Sequence, residues 1–308
     1  MITTHEKAQE RLLTAIGAAR VSHAFFISSI DPEPARRLAC RAAALAATGT
    51  ADAARLQNCA GFRIYSGSAM RMDDVRELQT ELQQSPLDDA MRCILIEEAH
   101  GMSAPVQNAL LKTLEEPPAS TLFLLTGNIR AVLPTVASRC SVLHLGQASV
   151  MEIEAILLEK GATLEEARLY AAMGGGSESR SLRLFEEEAF RTLRDNAIDA
   201  LLRLIRGELP LSATKKLSAD RGMADAFTFM LSFLRDVLTL LTKSGAPLEN
   251  PDKRRALDGI LPRFTIGRTA CMIEMLTKAI SELYTANAGS LTDVAAADKL
   301  FLEISEVI

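Results

Sequence analysis

The sequence predicts an α/β fold in which helices cover a parallel five-stranded sheet, followed by a helical remainder. Within the first 145 residues, short apolar runs alternate with helix-type spacing of apolar residues. Strands that are apolar throughout are typical of parallel sheets buried on both faces. After residue 145 the strand pattern stops, while helical patterns continue to the C-terminus. This order favours one sheet domain followed by helical domains.

Five segments are predicted to be the strands of this sheet. Each is short, apolar or alternating, and bounded by polar or turn-forming residues. They are residues 24–28 (AFFIS), 62–65 (FRIY), 93–96 (CILI), 122–125 (LFLL) and 141–145 (SVLHL). Parallel strands need crossover connections, so helices are expected between them.

Four helical patterns fill the gaps between the strands, at residues 33–47, 72–84, 103–115 and 131–137. The third is the best bounded, because Ser103 can cap it and Pro105 is tolerated in a first turn. Its apolar face is formed by Val106, Leu110 and Leu114. Two consecutive prolines then end it, since neither can donate a backbone hydrogen bond.

The rest of the chain is predicted to be helical. Helices are expected at 150–160, 163–173, 177–185, 224–241, 267–283 and near 300–308. Domain boundaries are placed near 146 and 208, which gives domains 1–145, 146–207 and 208–308. If the last domain oligomerises, an apolar face should stay free for neighbours. The candidates are Met272, Met275, Leu276, Leu300, Leu302 and Ile304.

Composition excludes several classes of protein. Hydrophobic residues make up 48% of 308 residues, which excludes a disordered chain, and the net charge of −5 argues against a surface that coats nucleic acid. No run approaches the roughly 18 apolar residues of a membrane span. The N-terminus is predicted to be an amphipathic helix with Leu12, Leu13 and Ile16 on one face, and not a signal peptide. A cytoplasmic protein with no membrane partner is expected.

An acidic pair ends the third predicted strand, at Glu97 and Glu98. In nucleotide hydrolases such a pair holds magnesium and polarises the attacking water. Apolar strands also end in solvated glutamates, so the pair alone leaves both interpretations open.

Two sequence motifs downstream of this pair help to decide between the two interpretations. Residues 108–118 read NALLKTLEEPP, and Ser138-Arg139-Cys140 follows at a spacing of about twenty residues. Together they resemble the bacterial clamp-loader family of AAA+ proteins. The resemblance implies a RecA-like AAA+ domain over 1–145, a small helical lid over 146–207 and an all-α collar domain over 208–308.

The nucleotide loop of that family, G-x-x-G-x-G-K-T, is not preserved here. In its register the glycines become Ser29, Pro32 and Pro34, the phosphate lysine becomes Ala35, and the magnesium hydroxyl becomes Arg36. A phosphate cradle needs backbone N–H groups and glycine freedom, and a proline supplies neither.

The neighbouring acids fit the same interpretation. Asp31 and Glu33 add negative charge where phosphate would lie, whereas Glu97 replaces the family's usual aspartate and Glu98 is kept. The sequence therefore predicts a degenerate nucleotide site without a cofactor, and a subunit that is not itself an ATPase.

Arg139 is the residue expected to carry function. An isolated arginine here would suit a helix end. In clamp loaders, the resemblance implies, it reaches a neighbouring subunit's ATP as an arginine finger within the motif of Ser138 and Cys140. Glu115 and Glu116 either line the same interface or are solvated acids that end a helix, and the sequence favours neither.

Two further positions match sensor residues of the family. Thr126 or Asn128 stands at the first sensor, and Arg180 at the second. Without a nucleotide, Arg180 is expected to pair with a carboxylate of the first domain.

Five cysteines occur, at 40, 59, 93, 140 and 271, with no C-x-x-C pair. Cys93 lies in an apolar run and is expected to be buried. The family usually has a four-cysteine zinc module, but residues 38–63 hold only Cys40 and Cys59 and no histidine. Two thiols cannot complete a tetrahedral site, so no metal is expected.

These observations predict a non-catalytic clamp-loader subunit that activates a neighbour. The implied partners are ATPase subunits of the gamma or tau type, the delta subunit and, indirectly, the sliding clamp and primer-template DNA. An active ATPase subunit is disfavoured by the loop. A stand-alone AAA+-like scaffold or DNA-binding protein is the remaining alternative.

Overall fold

The computed structural model describes residues 5–17, 22–29, 31–83, 91–208, 217, 222–285 and 290–307. The chain divides into two compact units. The first is Met1–Ala148 with Ser177–Ser179, and the second is Ser149–Gly176 with Arg180–Ile308. No helix among the described residues is both long and apolar enough to span a membrane.

A five-stranded sheet forms the centre of the first unit. Its strands are β1 (Ala24–Ser28), β2 (Phe62–Ser66), β3 (Arg92–Glu97), β4 (Thr121–Gly127) and β5 (Ser141–His144). All pair in parallel, in the order β2-β3-β4-β1-β5. The predicted parallel five-stranded sheet is confirmed, and the strand ends differ from the predicted ones by at most two residues.

Helices cover both faces of this sheet. They are α1 (His5–Gly17), α2 (Pro32–Thr48), α3 (Met72–Gln83), α4 (Ala104–Glu115) and α5 (Pro134–Ala137). One core includes Leu12, Leu38 and Leu124 on the α1 and α2 side. The other includes Phe26 and Phe123 with α3 and α4. The predicted residue Gln84 lies outside the described residues.

Two helix ends differ from the sequence predictions. Ser103 occupies the capping position of α4, but its side chain makes no capping hydrogen bond. The helix predicted at 131–137 is a 3-10 turn, Ile129–Ala131, followed by α5. Leu133 separates them in an extended conformation, which proline imposes on the preceding residue.

The described part of the second unit consists of helices and the segments that connect them. Its helices are α6 (Val150–Glu159), α7 (Leu164–Met173), α8 (Glu178–Glu186), α9 (Glu188–Ile205), α10 (Met223–Thr242), α11 (Arg254–Ile260), α12 (Ile266–Thr285) and α13 (Ser290–Val307). Helix α8 begins in Ser177–Ser179 of the first unit. The predicted end of the last helix, Ile308, lies outside the described residues. The sequence prediction missed α9.

The expected free apolar face of the C-terminal helices is largely absent. Met272, Leu276, Leu300 and Ile304 are buried in the unit's own core, whereas Leu302 is 49% exposed. This core extends from Met173 to Ile304 and includes residues on both sides of position 208. The division into a lid and a collar domain stays a prediction.

Candidate functional site

The connection from β1 to α2 is closed by hydrogen bonds within the first unit. Asp31 is only 5% exposed, and its backbone N–H donates to the hydroxyl of Ser29 at 3.1 Å. Its carboxylate accepts from the backbone N–H of Ser179 at 3.2 Å and from the Ser179 hydroxyl. That hydroxyl also accepts from the N–H of Glu33 at 3.4 Å. Ser179 therefore holds the start of α2.

Of the residues in the register of the nucleotide loop, Ser29 precedes α2, and the other four lie at the start of α2. Pro32 is its first residue and is exposed, while Pro34 and Ala35 are buried. Arg36 points to the end of β3, where its Nε donates to Glu97 Oε1 at 2.7 Å. The hydrogen bond to Glu97 raises the pKa of Arg36. The carboxylate at this strand end is thus bound by a side chain of the chain itself.

A second ion pair lies one residue further along α2. Arg37 binds Glu178 with both terminal nitrogens, and Nη2 lies 2.6 Å from Oε2. Glu178 is 1% exposed, and its hydrogen bonds raise the pKa of Arg37. Sequence reasoning missed Arg37, Glu178 and Ser179. The polar stretch directly before Arg180 was the available signal.

Thr126 and Glu98 meet at the carboxyl ends of β3 and β4. The backbone N–H of Glu98 donates to the hydroxyl of Thr126 at 3.2 Å. Glu98 is exposed and has a left-handed backbone with φ 47°, which is unusual for a residue other than glycine. Thr126 is therefore engaged by the backbone of the turn after β3.

His100 and Gly127 connect the same two strand ends. The Nδ1 atom of His100 accepts a hydrogen bond from the backbone N–H of Asn128 at 3.4 Å. Gly127 has φ 132°, and a Cβ there would lie 2.5 Å from Nδ1. Burial lowers the pKa of His100, although Glu98 opposes the shift. Sequence reasoning did not select this histidine.

One hydrogen bond of Arg180 lies within the second unit. Its Nη1 donates to the carbonyl of Gly174 at 3.0 Å. Its pairing with a carboxylate of the first domain stays a prediction.

The Ser138-Arg139-Cys140 motif links α5 to β5. The carbonyl of Thr135 accepts from the Ser138 hydroxyl at 3.1 Å and from Arg139 Nη1 at 2.7 Å. Arg139 Nε donates to Glu115 Oε1 at 2.8 Å, and Nη2 donates to the same oxygen. Burial raises the pKa of Cys140 to about 11, so its thiol is an inert packing group. The motif anchors one arginine at the surface.

The two glutamates at the end of α4 differ in their contacts. Glu115 binds Arg139, and its side chain is 48% exposed. Glu116 is exposed and ends the helix, with its backbone N–H donating to the Lys112 carbonyl. The structure thus brings Glu115 to Arg139 from 24 residues away along the chain.

Cys93 is fully buried, as predicted, and burial raises its pKa to about 12. Within the part of the chain that the structure describes, no three histidine, cysteine or acidic side chains are grouped as metal ligands. The absence of zinc stays a prediction.

Comparison with known proteins shows which proteins the chain resembles. Residues 4–149 match the sequence model of a family described as "DNA polymerase III, delta subunit". A DNA polymerase III subunit delta' from Haemophilus influenzae is 26% identical over 79% of this chain and 74% of its own length. These comparisons support a subunit of the DNA polymerase III clamp-loader family. The parallel sheet followed by helices fits the predicted fold class.

Other DNA polymerase III subunits are similar to this chain over different lengths. A subunit tau from Salmonella typhimurium is 28% identical over 97% of this chain and 47% of its own length, so the chain spans about half of that relative. A subunit delta' from Pseudomonas aeruginosa is 32% identical over 46% of this chain and 44% of its own length. A Thermotoga maritima gamma subunit-related protein of known structure has 16% identity, covers 91% of this chain and 99% of its own, and has a TM-score of 0.41.

Proposed function

We propose that this chain is a delta-prime-like clamp-loader subunit that hydrolyses no ATP and donates Arg139 to a neighbouring subunit's ATP. Its partners are then ATPase subunits of the gamma or tau type and a delta subunit. Through them it helps to load a sliding clamp onto primer-template DNA during replication. The similarity to two proteins named subunit delta' supports this choice of member.

The observation that carries the proposal is the use of backbone donors at the start of α2. The N–H groups of Asp31 and Glu33 already bind serine hydroxyls, and Pro32 and Pro34 have none. A helix N-terminus binds phosphate through free N–H groups and its positive dipole end. The buried carboxylate of Asp31 meets that dipole end instead.

The charges around the loop also do not fit a magnesium nucleotide. Glu97, in the position where hydrolases hold magnesium, is bound by the Arg36 guanidinium. A metal there would have to displace that cation, and Ala35 supplies no charge for phosphate. We therefore derive no catalytic step at this loop.

Arg139 is the group through which such a subunit can still act. Its guanidinium is a planar fork that stays charged, which suits bidentate contact with phosphate oxygens. Its side chain is 28% exposed and anchored at the surface. In GTPases, an arginine supplied in trans accelerates phosphoryl transfer by roughly 10³–10⁵.

The test is the Arg139→Ala variant in a reconstituted loader with ATPase subunits, clamp and primed DNA. We expect a partial loss of steady-state ATP hydrolysis, since a single ATP site faces this subunit, and a larger loss of clamp loading. Arg139→Lys should recover part of the activity, because an ammonium lacks the planar fork. Arg76→Ala, at an exposed arginine of α3, is the control.

Assembly of each variant is checked by gel filtration. Full activity of an assembled Arg139→Ala complex would refute the role of this residue. Failure of the chain to co-purify with any ATPase subunit would favour the stand-alone scaffold.

A further inference from the structure

We propose that Glu115 is a positioning residue for Arg139, so that the arginine is set in its working orientation before a neighbouring subunit docks. This inference rests on the proposed function. It concerns the contacts that hold Arg139 in place.

Glu115 and Thr135 both accept hydrogen bonds from the guanidinium of Arg139. Arg139 Nε and Nη2 donate to Glu115 Oε1, and Nη1 donates to the Thr135 carbonyl at 2.7 Å. A guanidinium has five N–H donors in a fixed plane. These three contacts leave one N–H on each terminal nitrogen. These two N–H groups are available to a phosphate.

Both acceptors belong to residues of helices. Glu115 is the last residue of α4, and the prolines that follow end the helix there. Thr135 lies in α5, one turn before Arg139, and its carbonyl also accepts from Ser138. The arginine is therefore bound by two elements instead of sampling the rotamers of a free surface side chain.

Such anchoring matters because ordering a long side chain opposes binding. An arginine that is already ordered loses less conformational entropy when a phosphate arrives. The carboxylate of Glu115 also weakens the local positive charge, but it is half exposed, so solvent screens that effect. Orientation is thus the larger contribution, and an acceptor oxygen matters more than its charge.

A positioning role of Glu115 predicts an order among variants in the reconstituted loader. Glu115→Ala should lower clamp- and DNA-stimulated kcat by up to about tenfold at the affected site, the scale of one side chain regaining its rotamer freedom. The KM for ATP should stay unchanged. Glu115→Gln keeps an acceptor oxygen at the same reach, so it should retain most of the activity. Adding Glu115→Ala to Arg139→Ala should cause no further loss.

The control is Asp73→Ala, which removes an exposed carboxylate from Arg76 on α3 in a comparable surface pair. It should leave kcat and KM unchanged. Gel filtration and thermal unfolding check that each variant folds and assembles.

The outcomes separate this inference from the proposed function. If Arg139→Ala has no effect, the proposed function fails. If Arg139→Ala lowers activity but Glu115→Ala does not, only the positioning role fails. A rise in activity in Glu115→Ala would mean that Glu115 restrains the arginine, and a loss in Glu115→Gln as large as in Glu115→Ala would mean that acceptor geometry is not the cause. Either result overturns the inference.

Discussion

At the scale of single residues, the polar groups at the start of α2 are bound by other residues of the same chain. The carboxylate of Asp31 accepts a hydrogen bond from the backbone N–H of Ser179, and Arg36 Nε donates to the carboxylate of Glu97. Each of these contacts occupies a polar group that would otherwise be open to a ligand. Together these contacts leave few backbone N–H groups that could bind an anion. Changing one charged side chain would not supply the missing N–H groups.

We therefore expect that the isolated chain binds no magnesium-ATP, and that Arg36→Ala does not create binding. Arg36 is half exposed, so its removal should free Glu97 without disturbing the core. The absence of free donors at Pro32 and Pro34 remains in the variant. Calorimetric titration measures this, with a clamp-loader ATPase subunit as the positive control. A micromolar Kd and a stoichiometry near one for the unaltered chain would contradict the degenerate site.

At the scale of elements, the turn after β3 is fixed to the end of β4 by His100. Its unprotonated Nδ1 accepts from Asn128, and Gly127 leaves it the necessary space. The imidazole must be neutral to accept, and burial lowers its pKa from the ordinary value near 6.5. A proton on His100 therefore favours the unfolded chain.

The sign of the pH effect follows from this shift. The unfolded histidine binds a proton more readily than the folded one, so stability is full at neutral pH. It should decrease as pH falls through about 6.5 toward the lower folded pKa. His100→Asn keeps an acceptor near the Nδ1 position and should flatten this part of the profile. Urea unfolding between pH 5 and 8 measures it, with exposed His23→Asn as the control. An unchanged slope in His100→Asn would contradict the assignment.

At the scale of the whole molecule, the two compact units have separate hydrophobic cores, and the second also has a buried polar network. Arg194 donates to Asp252 and Asn250, and Asn250 donates to Asp236. The Arg194 side chain is 4% exposed. Burial raises the pKa of Asp236, while its hydrogen bonds oppose the shift. The network joins α9 and α10 to the segment before α11.

Arg194→Ala should therefore destabilise the second unit strongly. Removing one partner of a buried ion pair costs about 3–5 kcal/mol, and we expect the lower end of this range because Asp252 is 28% exposed and also lies 3.8 Å from Lys253 Nζ. Amides of α9 and α10 should exchange hydrogen faster, whereas those of β1 and β4 should keep their protection. Exposed Arg206→Ala is the control. Equal loss of protection in the sheet would show that the two units unfold together.

Much of this molecule follows from local patterns along the chain. The five strands were predictable because each is a short apolar run, and the helices of the first unit because their apolar residues recur every three or four positions. The resemblance to clamp-loader proteins followed from residues 108–118 and 138–140. Helix α9 was missed because Arg194, a charged residue, interrupts its apolar face and is buried there through long-range partners.

The sequence by itself determined the sheet, the resemblance to clamp-loader subunits and the absence of a glycine-rich G-x-x-G-x-G-K-T loop, because these depend on residue type and spacing. Only the tertiary structure decided which side chains pair at the start of α2 and beside Arg139. Ser179 meets Asp31 from 148 residues away, Glu97 meets Arg36 from 61, and Glu115 meets Arg139 from 24. Such pairs have no periodic signal, since they form between elements that the fold brings together. Packing between distant elements also explains why most of the apolar face expected on the last helices is buried in the core of the second unit.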